Sequence, residues 1–159
     1  MKNHIIRVIS ALIALAILFM IFGFSAQNGA SSGSLSRAIT LWVMGIVCPD
    51  QLDNAATVTF LHHIIRKLAH VTEFALLGAS FCMFVSTFRL RKRWRFLIAL
   101  GGGVLVASSD EIHQLFVRGR GGSATDVLVD TIGIVIGAGL VTLIVLWAEN
   151  RRKRITKTM

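Results

Sequence analysis

The stretch SSDEIHQLFVRGRGGSATDVLVD, residues 108–130, decides how this chain folds. It places several charged and amide side chains between two apolar runs that have the composition of membrane segments. Charged groups are costly inside a bilayer unless they face one another or a water-filled cavity, so they mark functional sites there by default. The stretch therefore predicts a turn between two membrane helices, with a polar site beside it.

The composition of the whole chain is that of a membrane protein. Hydrophobic residues make up 54% of the sequence and charged residues only 16%, whereas soluble domains carry about a quarter charged residues. The net charge of +9 could indicate nucleic-acid binding, but the basic residues form short clusters beside apolar runs. We therefore interpret the charge as a topology signal and predict no nucleic-acid partner and no soluble partner.

Four apolar segments are long enough to cross a bilayer, which takes about 20 residues. They predict an all-α, polytopic membrane protein in which residues 1–159 form one domain, with spans at 5–24, 60–88, 96–117 and 125–147. The run from Val8 to Phe24 is longer than the apolar region of a signal peptide, which has about 7 to 15 residues. No convincing small-x-small cleavage site follows it, so we predict that it is a retained helix.

A shorter apolar segment follows the first span. In residues 35–47, Leu35, Ile39, Trp42 and Ile46 recur at helical spacing and give the segment one apolar face. The segment is too short to span a bilayer and ends before Pro49, which breaks helices. It predicts a short helix lying in the membrane interface, with Trp42 at head-group depth.

Glycines indicate where the helices pack closely. Asp126, Asp130, Gly133 and Gly137 follow one another at steps of three or four residues, so two carboxylates share a face with a small-xxx-small packing seam. The glycines of residues 101–103 lower helix propensity, and are best explained as a place where a neighbouring helix comes close.

The basic residues predict the orientation of the chain. Four spans put both termini on one side, and that side carries twelve of the 17 basic residues, namely Lys2, Arg7, Arg89, Arg91, Lys92, Arg93, Arg95, Arg151, Arg152, Lys153, Arg154 and Lys157. By the positive-inside rule this side is cytoplasmic. All acidic residues except Glu149 belong to the opposite half, so the polar site is predicted at the outer leaflet.

The same topology brings four helix ends together at one membrane depth: the end of the first span, the start of the second, the end of the third and the start of the fourth. The predicted catalytic candidates are His70, Glu73, Asp110, Glu111 and His113. The predicted substrate-binding residues are Gln27, Lys67, Gln114, Arg118, Arg120 and Asp126. Ser25 and Gln27 follow the first span, and either belong to a solvated loop or reach into this site.

One hypothesis for the site is binding or conversion of an anionic, lipid-linked component of the cell envelope. Arg118 and Arg120 lie beside a glycine-rich turn and a helix N-terminus, and guanidinium groups and free backbone N–H groups both favour phosphate. Proton transfer would fall to a histidine oriented by a carboxylate; the candidates are His70 and His113, with Glu73 and Asp110. The sequence does not decide between binding and catalysis.

Two other hypotheses remain open. His70 with Glu73, and Asp110 with His113, are pairs at three-residue spacing, as in helical bundles that hold a divalent cation; the ligands of such a metal site remain unknown. Alternatively the polar network only locks a membrane scaffold or accessory protein. Transport is disfavoured, because few polar residues lie below the outer third of the predicted spans.

Three phrases also resemble the VanZ-like family, known from a teicoplanin resistance protein. They are FSAQNG at 24–29, RKLAHVTEFALLG at 66–78 and SDEIHQLFVRGRGGSATDVLVDTIGIVIG at 109–137, and the resemblance extends over nearly the whole chain. It implies a small multi-pass protein of the bacterial plasma membrane, associated in some members with reduced sensitivity to a lipoglycopeptide antibiotic. The resemblance implies no defined biochemical reaction.

The polar signature of that family falls on seven residues of this chain: Gln27, His70, Asp110, Glu111, Gln114, Arg120 and Asp126. Two positions depart from the pattern. Phe74 stands where many relatives have Tyr, and Asp130 where many have Asn. A mechanism that needs a phenol on the second long helix is therefore not expected here.

Overall fold

The computed structural model describes residues 2–158, apart from the side chains of residues 2, 3, 30, 31, 152, 153 and 156–158. The predicted basic residues Lys2, Arg152, Lys153 and Lys157 thus have side chains outside the described part. Regular structure in the described residues consists of a 3₁₀ turn at Pro49–Gln51 and five α-helices, α1 (Lys2–Ser25), α2 (Gly29–Val47), α3 (Ala55–Ser86), α4 (Lys92–Gln114) and α5 (Ala124–Thr158).

Four of these helices, α1, α3, α4 and α5, are long and apolar enough to cross a membrane. The predicted all-α, polytopic fold is therefore confirmed, with shifts at the helix ends. α3 begins at Ala55 because the Asn54 side chain accepts hydrogen bonds from the backbone N–H groups of Ala56 and Thr57. α4 ends at Gln114, three residues before the predicted boundary, since bonds such as Val117 N to Gln114 O tighten the chain into turns.

The helix after the first span is longer than predicted. It begins at Gly29, not near residue 35, and it packs against α3, where Ser36 Oγ lies 2.8 Å from His62 Nε2. Thr40 and Met44 are buried against the protein, whereas the predicted apolar face, with Leu35, Ile39, Trp42 and Ile46, is turned outward and exposed. An outward apolar face is consistent with lipid contact; the interfacial position of α2 stays a prediction.

Glycines form the seam between α3 and α5. A Cβ atom at Gly133 would collide with the backbone carbonyl of Val71, and one at Gly137 with that of Ala75. On the α3 side, Gly78 meets the backbone of Ile134 in the same way. The predicted packing face of α5 is therefore confirmed, because only glycine permits this backbone approach.

α4 joins the same core. Gly103 meets the side chain of Ile134 on α5, and Gly102 meets Phe81 on α3, while Gly101 has nothing within 4 Å. The prediction of a close helix neighbour thus holds for two of the three glycines. Where α1 and α3–α5 come together, a buried cluster is formed by Ile21, Phe74, Leu77, Ala107 and Ile134, and the polar site lies at one end of it.

The end of the bundle opposite the polar site is held by basic residues. Arg7 donates from Nε to Thr87 Oγ1 at 3.3 Å, and its guanidinium lies 4.4 Å from the ring centroid of Phe88. Lys92 at the start of α4 pairs with Glu149 on α5. These contacts fasten α1 and α5 to the α3–α4 turn.

Candidate functional site

Two adjoining pockets lie where the end of α1, the α1–α2 turn, the middle of α3, the end of α4 and the α4–α5 loop meet. The first has a volume of about 220 Å³ and is lined by His63, Arg66, Lys67, His70, Glu111, Gln114, Gly119, Arg120, Gly121, Asp126, Val129 and Asp130. The second has a volume of about 130 Å³ and is lined by Ile21, Phe24, Ser25, Gln27, Ser32, Leu35, Ser36, Ile39, Ile65, Arg66, Ala69, His70, Glu73, Asp110 and Arg120.

Three residues belong to both pockets: Arg66, His70 and Arg120. They form the wall that the two pockets share. Arg66 and His70 are one helical turn apart on α3, and Arg120 comes from the α4–α5 loop on the other side. A ligand in either pocket therefore meets the same two guanidinium groups.

The structure brings together nine of the eleven predicted site residues. The first pocket holds Lys67, His70, Glu111, Gln114, Arg120 and Asp126, and the second holds Gln27, His70, Glu73, Asp110 and Arg120. His113 and Arg118 line neither pocket. For Ser25, the sequence left two alternatives, a solvated loop or the polar site. In the structure Ser25 is buried and lines the second pocket.

His113 and Arg118 have other surroundings. The His113 ring faces α1, where its Nδ1 lies 3.5 Å from Ser25 Oγ and its ring packs edge-on against Phe22. The Arg118 side chain is exposed, and its backbone carbonyl accepts a hydrogen bond of 3.1 Å from Gly29 N. The His113 ring therefore faces away from the pockets and is not placed to transfer a proton there. Arg118 contacts the start of α2 through its backbone carbonyl, not through its side chain.

Asp110, Glu111 and Gln114 form a buried network at the end of α4. Gln114 Nε2 donates to Asp110 Oδ2 at 2.8 Å and to Glu111 Oε1 at 3.4 Å. Glu111 Oε2 accepts from Ser123 N at 2.7 Å, just before α5 begins. Glu111 thus fixes the loop that carries Arg120, while Asp110 Oδ1 has no hydrogen-bond partner among the described residues.

Arg120 ties three segments together. One terminal nitrogen of its guanidinium donates to the Phe24 carbonyl at 2.9 Å and to Ser32 Oγ at 2.6 Å. Burial lowers the pKa of Arg120 from its usual value, and the nearby charge of Arg66 acts in the same direction. Arginine is nevertheless effectively always protonated in proteins, so Arg120 is a fixed positive charge in the wall between the pockets.

The carboxylates of α5 differ in their surroundings. Asp126 is partly exposed and pairs with Lys67, whose Nζ lies 3.1 Å from Asp126 Oδ1. Asp130 is only 1% exposed, and its Oδ1 lies 3.8 Å from His70 Nδ1, which is too long for a hydrogen bond. Neither oxygen of Asp130 has a hydrogen-bond partner in the described part of the chain.

The metal hypothesis gains no support from this geometry. Among the residues that the structure describes, no three His, Cys, Asp or Glu side chains come together as ligands for a metal ion. Of the predicted quartet, His70, Glu73 and Asp110 line the second pocket, whereas the His113 ring is turned toward α1.

Comparison with known families identifies the chain. The model of the VanZ/LLP1 family matches residues 10–146, which is most of the sequence. The chain belongs to the VanZ/LLP1 family. Comparison with curated proteins and with solved structures gives no match.

The VanZ/LLP1 match includes every residue that lines the two pockets. The resemblance inferred from the three sequence phrases is thereby confirmed at the level of the family. All seven positions of the polar signature line one pocket or the other, and the signature residues His70 and Arg120 line both.

Two polar lining residues of this VanZ-family site, Arg66 and Ser32, gave no prediction from the sequence. Arg66 lies in both pockets, and its spacing to His70 and Glu73, of four and seven residues, could have placed it on their face of α3. Ser32 receives a hydrogen bond from Arg120. It gave no signal, because it lies in a Gly/Ser-rich segment, and such segments typically form connections between helices.

Proposed function

We propose that this VanZ/LLP1-family protein binds the anionic head group of a lipid-linked cell-envelope component. The observation that carries the proposal is the shared wall of Arg66, His70 and Arg120 between two pockets, one of them polar and the other bordered by apolar residues. Leu35 and Ile39 of the second pocket are exposed on the outer face of α2. A phosphate at the arginines would leave its lipid chain beside this apolar edge.

The two arginines are suited to an anion. The structure gives Arg66 no hydrogen bond or ion pair with the described residues, and Nε of Arg120 is buried without a partner. Guanidinium groups bind phosphate oxygens through paired, charge-assisted hydrogen bonds. Unused N–H groups on both sides of one wall therefore support phosphate recognition.

The position along the bundle supports a lipid ligand. α1 rises about 27 Å between Arg7 and Ser25, at about 1.5 Å per residue, and the hydrocarbon core of a bilayer is about 30 Å thick. Because Arg7 lies at the basic end, Ser25 and the pockets are expected at the depth of the opposite head groups. With the basic end in the cytoplasm of a bacterial cell, the proposed site belongs to the outer leaflet of the plasma membrane.

A second candidate function is a non-catalytic scaffold. It is favoured by the hydrogen bonds from Ser123 N to Glu111 and from Arg120 to the Phe24 carbonyl, which fix connections without any ligand. The two candidates differ at Arg66, because a scaffold has no use for a pocket arginine without a hydrogen-bond partner.

The test is binding of a fluorescent polyprenyl phosphate to the purified chain in detergent micelles. We expect Arg66→Ala to weaken binding about tenfold or more, since a hydrogen bond between charged groups contributes about 1.5–3 kcal/mol, while the melting temperature stays unchanged. Arg37→Ala is the matched control, because Arg37 is an exposed arginine of α2 outside both pockets. No binding by the wild-type chain, or equal binding by Arg66→Ala, would overturn the proposal.

The family resemblance adds a cellular expectation. We propose that head-group binding underlies reduced sensitivity to teicoplanin when the chain is expressed in a susceptible Gram-positive host. Arg66→Ala should then lose the protection although the protein still inserts into the membrane at the wild-type level. A scaffold would retain protection in that variant.

A further inference from the structure

The first pocket is not simply cationic. Its lining includes three basic residues, Arg66, Lys67 and Arg120, and three acidic residues, Glu111, Asp126 and Asp130. A ligand that carries only negative charge would be attracted by one half of this lining and repelled by the other. The charge distribution instead matches a ligand that carries both signs.

Most of the acidic oxygens already have partners. Asp126 pairs with Lys67, and Glu111 accepts hydrogen bonds from Ser123 N and Gln114. Asp130 is the exception, since it is 1% exposed, its Oδ1 lies 3.8 Å from His70 Nδ1, and both its oxygens lack a hydrogen-bond partner among the described residues. Buried polar groups are normally satisfied, so two acceptor oxygens beside a pocket point to a donor that the ligand supplies.

We propose that the ligand of this site is a zwitterion, with a phosphate that binds Arg66 and Arg120 and a primary ammonium group that binds Asp130. A primary ammonium has three N–H donors, enough to satisfy both oxygens of Asp130. A quaternary ammonium has none. The ligand class is therefore an amino-group-bearing phosphate ester, such as an ethanolamine phosphodiester or an amino-sugar phosphate.

The pocket volume fits a head group. At about 220 Å³, the first pocket is smaller than the roughly 300–1,000 Å³ of sites that enclose a drug-sized molecule. The acyl or prenyl part would lie outside it, along the second pocket and its apolar edge at Leu35 and Ile39. This inference rests on the proposed function and adds the second charge of the ligand.

The test compares head groups that differ in the ammonium. The purified full chain is equilibrated in micelles with equimolar dioleoyl phosphatidylethanolamine, phosphatidylcholine and phosphatidylglycerol, and the retained lipids are counted by native mass spectrometry. We expect phosphatidylethanolamine to be preferred about tenfold over both others. Asp130→Asn, which keeps the shape and removes the charge, should reduce that preference to about twofold or less.

Asp50→Asn is the matched control, since Asp50 is an exposed carboxylate of the 3₁₀ turn and lines neither pocket. It should keep the wild-type preference, and the melting temperature of each variant reports whether the bundle is intact. Free phosphoethanolamine is added as a competitor. Displacement at comparable concentrations would support the same zwitterion from a soluble source, and displacement only at large excess supports a lipid.

Different results would overturn the zwitterion proposal and the proposed function of anionic head-group binding. Equal or stronger retention of phosphatidylglycerol, or an unchanged preference in Asp130→Asn, overturns the zwitterion and leaves anionic head-group binding standing. If no phosphate lipid is retained and polyprenyl phosphate does not bind, the proposed function itself is overturned.

Discussion

Glu111 illustrates how one side chain of the site also holds the fold. It is buried, and its Oε2 accepts the hydrogen bond from Ser123 N that ends the α4–α5 loop. Glu111→Ala would leave that N–H unsatisfied in a partly buried position, at a cost of about 1–3 kcal/mol. We expect a lower melting temperature in detergent for this variant, and Glu111→Gln should recover most of the loss because it keeps an acceptor oxygen.

The Glu111 comparison needs an acidic residue that makes no such contact. Asp53→Ala serves, since Asp53 is exposed in the connection before α3. Its melting temperature should equal that of the wild type. A Glu111→Ala protein that melts at the same temperature as Asp53→Ala would show that the loop is held by other contacts.

Substitutions of Arg120 can separate the effect of its positive charge from the effect of its planar guanidinium geometry. Arg120→Lys keeps the positive charge but not the planar fork that pairs with phosphate oxygens. We expect Arg120→Lys to bind fluorescent polyprenyl phosphate several-fold more weakly than wild type, with a melting temperature close to wild type, because an ammonium can still donate to the Phe24 carbonyl and Ser32 Oγ. Arg120→Ala should lose both binding and stability. Equal affinity in the lysine variant would mean that only the charge matters.

Single-residue roles were only partly predictable from sequence. Helical spacing puts Asp110, His113 and Gln114 toward one face of α4, and Gln114 does donate to Asp110. His113 is 100° away from Gln114 around the helix, and the neighbour that its ring meets, α1, is not encoded in local spacing. Sequence spacing shows which residues share a face of one helix. Whether such a residue lines a pocket depends on which neighbouring helix packs against that face.

At the scale of elements, the packing face of α5 was predictable because glycine at four-residue steps has few other uses in a membrane helix. Its partner, α3, was not predicted and follows from the structure. Gly137→Ala would place a Cβ against the Ala75 carbonyl. We expect this to destabilise the bundle by about 1–3 kcal/mol, as overpacking typically does, in thermal unfolding in detergent. The control is Gly139→Ala on the same helix, which has open space at Cβ and should be neutral or stabilising by up to about 1 kcal/mol. Equal effects of the two substitutions would contradict the seam.

The start of α2 was not predictable. Its Gly/Ser-rich first turns have poor helix propensity, yet they are helical because they pack against the α4–α5 loop, where Gly29 N donates to the Arg118 carbonyl at 3.1 Å. A Cβ at Gly29 would collide with the backbone of Gly119, which has φ +77°. Tertiary contact overrides local propensity here.

That contact gives a second element-scale prediction. Gly29→Ala should push α2 away from the loop and weaken binding of polyprenyl phosphate several-fold, since Ser32 of α2 holds Arg120. Gly33→Ala is the matched control, because nothing lies within 4 Å of its Cβ position. If both variants bind like the wild type, the α2 contact does not shape the site.

For the whole molecule, the sequence predicted the membrane class and the meeting of the ends of α1 and α4 with the start of α5, because hydropathy and charge asymmetry are properties of long segments. The prediction that α3 meets them at its start was wrong, because α3 begins at Ala55 and the site lies at its middle. The helical fold is confirmed, and the family with it. The side of the membrane stays a prediction, because a bundle has the same internal contacts in either orientation. Only the basic clusters distinguish its two ends.

The chain carries a natural reporter of that orientation. Of its two cysteines, Cys48 is partly exposed in the α2–α3 connection on the side of the pockets, and Cys82 is buried at 1% exposure. In spheroplasts, a membrane-impermeant maleimide should label the wild-type chain without permeabilisation, because positive-inside topology places Cys48 outside. Cys48→Ser should abolish the labelling, and Cys82→Ser should leave it unchanged. Labelling only after permeabilisation would put the pockets in the cytoplasm, and the ligand would then have to be a lipid of the inner leaflet.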